Sequence, residues 1–206
     1  MRDRITAALM ALVLALSLAA PVAAGPLEDG KAAYDHGDYA TVLRLWRPLA
    51  DQGNADAQFM LSIMYDGGYG VPQDYVEAAK WCRRAADQGH AAAQVNLGFM
   101  CTGGHGVPQD YTEALKWFRR AADQDNATAQ FNLGVMYDKG QGVPQDYVQA
   151  HKWYNLAASG FSAASDGRGK DAAAARDAVA AKMTPAQIAE AQKLAREWKP
   201  NSESAK

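Results

Sequence analysis

One hexapeptide, Gly-Val-Pro-Gln-Asp-Tyr, occurs three times in this chain at a spacing of 36 residues, at positions 70–75, 106–111 and 142–147. Each copy has the same neighbours, with an Ala-Gln pair and a leucine upstream and a tryptophan and an Ala-Ala pair downstream. Self-similarity at a fixed period of this length is the signature of a stacked repeat array. The period therefore constrains the architecture strongly before it says anything about function.

Each repeat is predicted to contain two helices. Apolar residues such as Ala93, Leu97 and Met100 recur at helical spacing, which predicts first helices over 55–65, 91–101 and 127–137. Gly98 and Gly134 lie inside these helices, where glycine costs about 1 kcal/mol relative to alanine. We therefore expect a neighbouring helix to approach closely at these glycines.

The hexapeptide is predicted to start the second helix. Its proline stops the preceding helix and fixes an extended approach. Asp74 is expected to cap the new helix, and Glu77 to reach back to the amide of Asp74. Asp110 with Glu113 and Asp146 with Gln149 repeat this spacing. Such side chains could be mistaken for catalytic acid/base pairs, but three equivalent pairs have no obvious catalytic use, so we interpret them as caps.

The full repeats are predicted at 54–89, 90–125 and 126–161, between two capping segments. Residues 25–53 look like an incomplete first unit, with a short helix over 27–36. After the repeats, 162–199 is expected to close the array. In that closing segment, 162–170 should be irregular or weakly helical, 171–182 helical, and a last helix should run from Thr184-Pro185 to about Trp198. Residues 200–206 are expected to be a disordered tail.

The first 24 residues have the pattern of a signal peptide. Arg2 and Arg4 precede an apolar run over 5–20, and Val22-Ala23-Ala24 offers small residues to signal peptidase. We expect cleavage after Ala24 and a periplasmic or secreted mature protein. A membrane anchor is the alternative, although the run is short and is followed directly by small residues. The net charge of -2 gives no reason to expect nucleic acid or an anionic membrane surface as a partner.

The chain has two cysteines, Cys82 and Cys101, and an extracytoplasmic compartment would permit a disulfide between them. Both occupy positions where the other repeats carry aromatic side chains, so both should be buried. On antiparallel helices their heights would differ by roughly 7 Å. That offset is unfavourable for a bridge, and we expect free thiols.

The pattern Ala-Gln-x-x-Leu-Gly-x-x-Tyr, a Gly-x-Gly-Val-Pro loop and Asp-Tyr-x-x-Ala-x-x-Trp together resemble the Sel1-like repeat family. The resemblance covers 54–161, and more weakly 27–53, with Ser62 and Cys101 as small departures. It implies an all-α fold, a right-handed superhelix of α/α hairpins related to tetratricopeptide repeats. It also implies a scaffold for protein–protein contacts, with exported bacterial relatives acting as adaptors or regulators in the cell envelope.

In the related tetratricopeptide groove, the first helices line the concave side. Relatives that clamp a peptide carboxylate carry Lys, Arg and Asn there, whereas the corresponding positions of this chain are mostly apolar. The expected partner is therefore a protein that contributes a hydrophobic segment or amphipathic helix. Carrying over the register predicts a binding surface of Phe59, Ile63, Val95, Phe99, Phe131 and Val135, with Asp66, Thr102 and Asp138 as a polar rim.

Two alternatives to this groove stay open. The same apolar side chains could instead be buried between successive repeats. The chain could also bind cell-wall glycan (peptidoglycan) through Tyr69, His105 and Gln141, which occupy equivalent loop positions along one edge.

An enzymatic function has little support in the sequence. The histidines at 36, 90, 105 and 151 do not recur at matching positions, and none has a cysteine or carboxylate at metal-ligand spacing. The glycine-rich turns lack the Lys-Ser/Thr of a phosphate loop, and no serine nucleophile elbow is present. We predict no catalytic residue, metal or cofactor.

Overall fold

The computed structural model describes residues 25–161 and 167–201, and within these ranges the chain is all α-helical. The predicted signal peptide and most of the predicted tail lie outside the described residues. No helix of the described ranges is both long enough and apolar enough to cross a membrane. The ten described helices are α1 (Pro26–Asp35), α2 (Tyr39–Asp51), α3 (Ala55–Gly67), α4 (Tyr75–Asp87), α5 (Ala91–Gly103), α6 (Tyr111–Ala122), α7 (Ala127–Lys139), α8 (Tyr147–Gly160), α9 (Arg168–Ala180) and α10 (Pro185–Glu197).

The helices form a linear array of hairpins. In each repeat the first helix packs on the second, giving the pairs α3–α4, α5–α6 and α7–α8. Each second helix also packs on the first helix of the next hairpin, and α9 and α10 both pack on α8. The predicted all-α solenoid is confirmed.

The turn inside each hairpin is built by the hexapeptide. The Asp74 amide donates to the Tyr65 carbonyl at 2.9 Å, and Gln73 Nε2 donates to the Asp66 carbonyl at 2.7 Å. The corresponding bonds recur in the second and third repeats. The Asp74 carboxylate caps α4 by accepting from the amide of Glu77 at 2.9 Å, as predicted.

The expected return bond from Glu77 to the Asp74 amide is not formed. That amide already donates to the Tyr65 carbonyl, so it has no hydrogen left for Glu77. Glu77 pairs instead with Lys80, Nζ to Oε2 at 2.9 Å, one turn along the helix. The capping prediction is therefore right for the aspartate and wrong for the residue three positions later.

The helix-interior glycines lie at close helix contacts, as predicted. A Cβ added to Gly98 would lie 2.6 Å from the ring of Phe118, and one added to Gly134 would lie 2.6 Å from the ring of Tyr154. Cysteines 82 and 101 are free and buried, in agreement with the expectation of free thiols. Burial raises the pKa of the Cys82 thiol to about 12, so this thiol is a packing group rather than a nucleophile.

Buried glutamines join successive hairpins. Gln58 Nε2 donates to the Ala50 carbonyl of the preceding helix at 2.9 Å, and Gln58 Oε1 accepts from Gln88 Nε2 at 2.7 Å. Gln94 makes the equivalent bonds one repeat later, to the Ala86 carbonyl and from Gln124. The glutamines of the first two Ala-Gln pairs are thus structural residues, because they satisfy polar groups buried between hairpins. Gln130 of the third pair donates instead to Asp125 Oδ1 at 3.0 Å.

Both ends of the array are covered. At the N-terminal end, Trp46 Nε1 donates to the Leu27 carbonyl at 3.1 Å and ties α2 to α1. At the C-terminal end, the Trp153 and Trp198 rings make an edge contact with centroids 5.9 Å apart. Helix α9 starts at Arg168, so the helical alternative holds for 168–170. The amides of Lys170 and Asp171 donate to the Gly167 carbonyl and extend the helix backwards. Residues 162–166 lie outside the described residues.

Candidate partner-binding groove

The first helices leave three cavities along one side of the array, which we call the first-helix face (the outward residues of α1, α3, α5 and α7). A cavity of about 460 Å³ lies between α1 and α3, with Trp46 of α2 behind it. A second of about 190 Å³ lies between α3 and α5. A third of about 300 Å³ lies between α5, α7 and the start of α9.

Phe99 is the central apolar side chain of this face. It lines both the 190 Å³ and the 300 Å³ cavities, and it is 43% exposed. Its ring contacts Phe118 of α6 edge-on, with centroids 5.4 Å apart. A large aromatic ring supported from below and open above is the arrangement expected of a contact residue.

Two other predicted residues share these cavities with Phe99. Ile63 lines the smaller cavity from α3, and Phe131 lines the larger one from α7. Both side chains are half-buried. The Phe131 ring contacts Tyr154 of α8 at a centroid distance of 5.4 Å. The structure therefore brings Ile63, Phe99 and Phe131 together along one groove.

Val95 does not lie on this surface. It is 6% exposed and belongs to the hydrophobic core. The same position carries phenylalanine in the neighbouring repeats, Phe59 and Phe131, whose longer rings extend past the layer in which valine ends. For Val95 the buried alternative is the correct one.

Phe59 and Val135 are half-buried and pack mainly inward. The Phe59 ring lies against His90 with centroids 4.6 Å apart. Val135 packs against the core and lines none of the three cavities. These two residues flank the groove without forming it.

The predicted polar rim differs from repeat to repeat. Asp138 forms an ion pair with Lys182, 3.2 Å from Nζ to Oδ1, and so is engaged by the C-terminal segment of the chain itself. Thr102 donates its hydroxyl to the Phe99 carbonyl at 2.9 Å. Asp66 is exposed and lines the 190 Å³ cavity.

Two groups of cavity residues were not predicted from the sequence. Asn96 and Asn132, one period apart, line the two cavities beside Phe99. Their recurrence at a 36-residue spacing, three residues before Phe99 and Val135, was the available signal. The 460 Å³ cavity was also missed, because it is formed by the incomplete first unit.

The 460 Å³ cavity combines apolar walls with acidic edges. Tyr34, Trp46 and Met60 are among its apolar lining residues, whereas Glu28, Asp35 and Asp56 outnumber the single lysine, Lys31. Its local charge is therefore negative.

Two of the three loop residues considered for glycan binding, Tyr69 and His105, make contacts between hairpins. The Tyr69 ring stacks on Tyr39 of the preceding hairpin with centroids 5.4 Å apart. The His105 ring likewise lies beside Tyr75, at 5.9 Å. Because these aromatic rings already pack against other rings of the chain, they are less available for stacking on a sugar.

His90, at the start of α5, has a structural role. Across the described ranges, no cluster of His, Cys, Asp and Glu could hold a metal ion. His90 caps α5, its Nδ1 accepting from the Ala93 amide, while its Nε2 lies 3.2 Å from Asp56 Oδ1. Its two ring nitrogens are thereby engaged in local structure.

The Sel1 repeat family model matches this chain over residues 55–90, 91–126 and 127–160. Among solved structures, the chain is similar to a Sel1 repeat protein from Oxalobacter formigenes, with 30% identity, a TM-score of 0.63, and coverage of 82% of this chain and 74% of the other. It is also similar to c5321, a protective antigen present in uropathogenic Escherichia coli strains and displaying an SLR fold. In that case the identity is 29%, the TM-score is 0.57, and coverage is 81% of this chain but 42% of the other. A search of curated proteins returned no match.

Proposed function

This chain belongs to the Sel1 repeat family, and from that premise we propose that it is an exported scaffold that binds a hydrophobic segment of an envelope protein along its first-helix face. Proteins of this family generally act as scaffolds for protein interactions. The export component of the proposal rests on the leader-like pattern of residues 1–24.

The observation that carries the proposal is the exposed Phe99 ring between two cavities. The ring is 43% exposed. It shares one cavity with Ile63 and the other with Phe131. Docking an apolar side chain on this ring would remove apolar surface from water on both partners, which favours association. Aromatic side chains in such pockets often dominate the binding energy of an interface.

The groove is tested by making Phe99 polar. The Phe99→Ser variant should lower recovery of the partner from an envelope extract by about fivefold or more, since loss of an aromatic anchor commonly costs over about 1 kcal/mol. The measurement is quantitative mass spectrometry of proteins captured on the immobilised mature chain.

Val76→Ser is the matched control. Val76 is 54% exposed on α4, away from the cavity-lining residues, so its loss removes exposed apolar surface from the opposite helix of a hairpin. Both variants must retain a cooperative thermal transition by circular dichroism. Equal capture by the wild type and Phe99→Ser would contradict the groove, as would equal losses in the two variants.

A further inference from the structure

The third repeat contains a site that is filled by a lysine of the chain itself. Lys182 Nζ lies 3.2 Å from Asp138 Oδ1 and 5.0 Å from the centre of the Tyr147 ring. The ammonium group thus contacts a carboxylate on one side and the face of an aromatic ring on another. Both groups attract a cation.

The first repeat reproduces the frame of this site. Asp66 and Tyr75 stand 72 residues before Asp138 and Tyr147, which is two periods of the array. The main chain is held alike in both places, because the glutamine before the cap donates to the carbonyl of Asp66 in one repeat and Asp138 in the other. The backbone that carries the aspartate is therefore held in the same way in the two repeats.

No basic side chain of the described residues fills the first-repeat site. Over residues 25–161 and 167–201, Asp66 forms no ion pair with a lysine, arginine or histidine. Tyr75 is 45% exposed, even with the His105 ring beside it. In the second repeat the acid is absent, since Thr102 takes its place.

The unfilled site opens into the groove. Asp66 lines the 190 Å³ cavity together with Ile63 and Phe99. A side chain that reached Asp66 would therefore enter beside the exposed aromatic ring of the groove. At the N-terminal end of the same face, Asp35 and Asp56 line the 460 Å³ cavity and add further negative charge.

We propose that Asp66 and Tyr75 receive a lysine or arginine side chain of the partner, so that the groove selects an apolar segment carrying a basic residue. The inference rests on the proposed function, because the basic residue is delivered by a segment lying on Phe99. The chain's own Lys182 shows the chemistry that such a frame accepts. A carboxylate in the open edge of the groove disfavours an acidic residue at the same place.

The test uses two fluorescein-labelled 14-residue peptides with identical leucine and phenylalanine residues, one with lysine and the other with glutamine at its polar positions. Fluorescence anisotropy gives the affinity ratio between the lysine and glutamine peptides for each protein. Asp66→Asn should lower this ratio about threefold, the size expected of one exposed charge pair. Its affinity for the glutamine peptide should be unchanged.

Two variants of the third repeat complete the test. Asp138→Asn should leave the ratio unchanged, because Asp138 already has Lys182 as its partner. Lys182→Met should raise the ratio about twofold, because it uncovers Asp138 and Tyr147. An unchanged ratio in Asp66→Asn or in Lys182→Met would overturn the basic-residue site, as would an equal fall in Asp138→Asn.

Failure of the basic site is distinguishable from failure of the groove. If both peptides bind equally well and Phe99→Ser weakens both, the groove stands and the basic site is wrong. If neither peptide binds the wild-type chain, both proposals are overturned.

Discussion

His151 is a buried histidine at a position where the preceding hairpins carry Ala79 and Leu115. It is 3% exposed, and no hydrogen-bond partner of its Nδ1 is found among the described residues. Burial lowers the pKa of His151, Arg176 on the facing helix α9 lowers it further, and Asp177 acts in the opposite direction. The imidazole is therefore neutral in the folded protein at neutral pH.

This histidine should make stability depend on pH. Because its pKa is lower in the folded chain than the ordinary value of 6.5, the unfolded chain binds a proton first as the pH falls. Stability is thus unaffected by His151 well above pH 6.5 and is lost below it, by at most about 1.4 kcal/mol per pH unit. The loss ends once folded His151 is itself protonated.

The His151→Leu variant, which copies the second repeat, should remove that part of the pH dependence. Urea unfolding of the two proteins between pH 7.5 and pH 5 measures it. The difference in unfolding free energy between variant and wild type should grow in favour of leucine as the pH falls. A difference that stays constant across the range would mean that His151 keeps an ordinary pKa.

The repeat register predicts the groove residues only in part. The 36-residue register predicts that Ile63, Phe99 and Phe131 face outward from the first helices, and in the structure all three line cavities. The same register placed Val95 on the surface, where the structure has it buried. A period fixes the direction in which a side chain points, but side-chain length decides whether its end reaches solvent.

At the scale of the helices, the packing of each hairpin depends on a pair of complementary sizes. Gly98 faces the ring of Phe118 and Gly134 faces the ring of Tyr154. At the equivalent positions of the first repeat, the larger Ser62 is matched with the smaller Cys82, and both are buried. A larger side chain on the first helix is thus accompanied by a smaller side chain on the second helix.

This exchange predicts strong coupling between positions 98 and 118. Gly98→Ser alone should cost about 1–3 kcal/mol, because its Cβ would lie 2.6 Å from the Phe118 ring. Phe118→Cys alone should cost about 3–5 kcal/mol through the cavity it leaves. The double variant, which recreates the pair of the first repeat, should cost less than the sum by at least about 1 kcal/mol.

Chemical denaturation of the four proteins in this cycle gives the coupling energy. Gly134→Ser combined with Phe118→Cys is the matched control, since Gly134 faces the ring of Tyr154 and not that of Phe118. The control pair should be additive within about 0.5 kcal/mol. Additive costs for the pair at 98 and 118 would show that the two side chains do not compete for the same space.

The helices themselves were largely predictable, because each is specified locally. The proline of the hexapeptide, the aspartate cap and the apolar spacing all lie within one repeat, so the sequence placed α3 to α8 almost as observed. The start of α9 is less sharply specified, because no such cap is present there. Its first turn is held by amides that donate to the main-chain carbonyl of Gly167.

At the scale of the whole molecule, the contacts that close the ends of the array could not be predicted from the repeat pattern. The ion pair between Asp138 and Lys182 joins residues 44 positions apart, and Lys182 has no counterpart in the repeats. Trp198, which contacts Trp153, likewise has no counterpart in the repeats. Such contacts depend on how unique terminal helices fold back, which periodicity does not encode.

An array in which each hairpin contacts only its neighbours should open from its ends. The N-terminal end offers a specific test at Gly30, which is buried against Trp46. A Cβ at this position would lie 2.1 Å from Trp46 Nε1, and the indole is fixed by its bond to the Leu27 carbonyl. Helix α1 can accommodate a larger residue there only by moving off the array.

Gly30→Ala should therefore release α1 while leaving the central repeats folded. Overpacking of this kind costs about 1–3 kcal/mol, enough to raise the exchange of α1 amides by about one to two orders of magnitude. Hydrogen exchange followed by mass spectrometry should show this rise over 26–35 and no change over α5 to α8. Lys31→Ala, at an exposed neighbouring position, should leave both regions unchanged. A rise that spreads evenly through the array would instead mean that it unfolds as one cooperative unit.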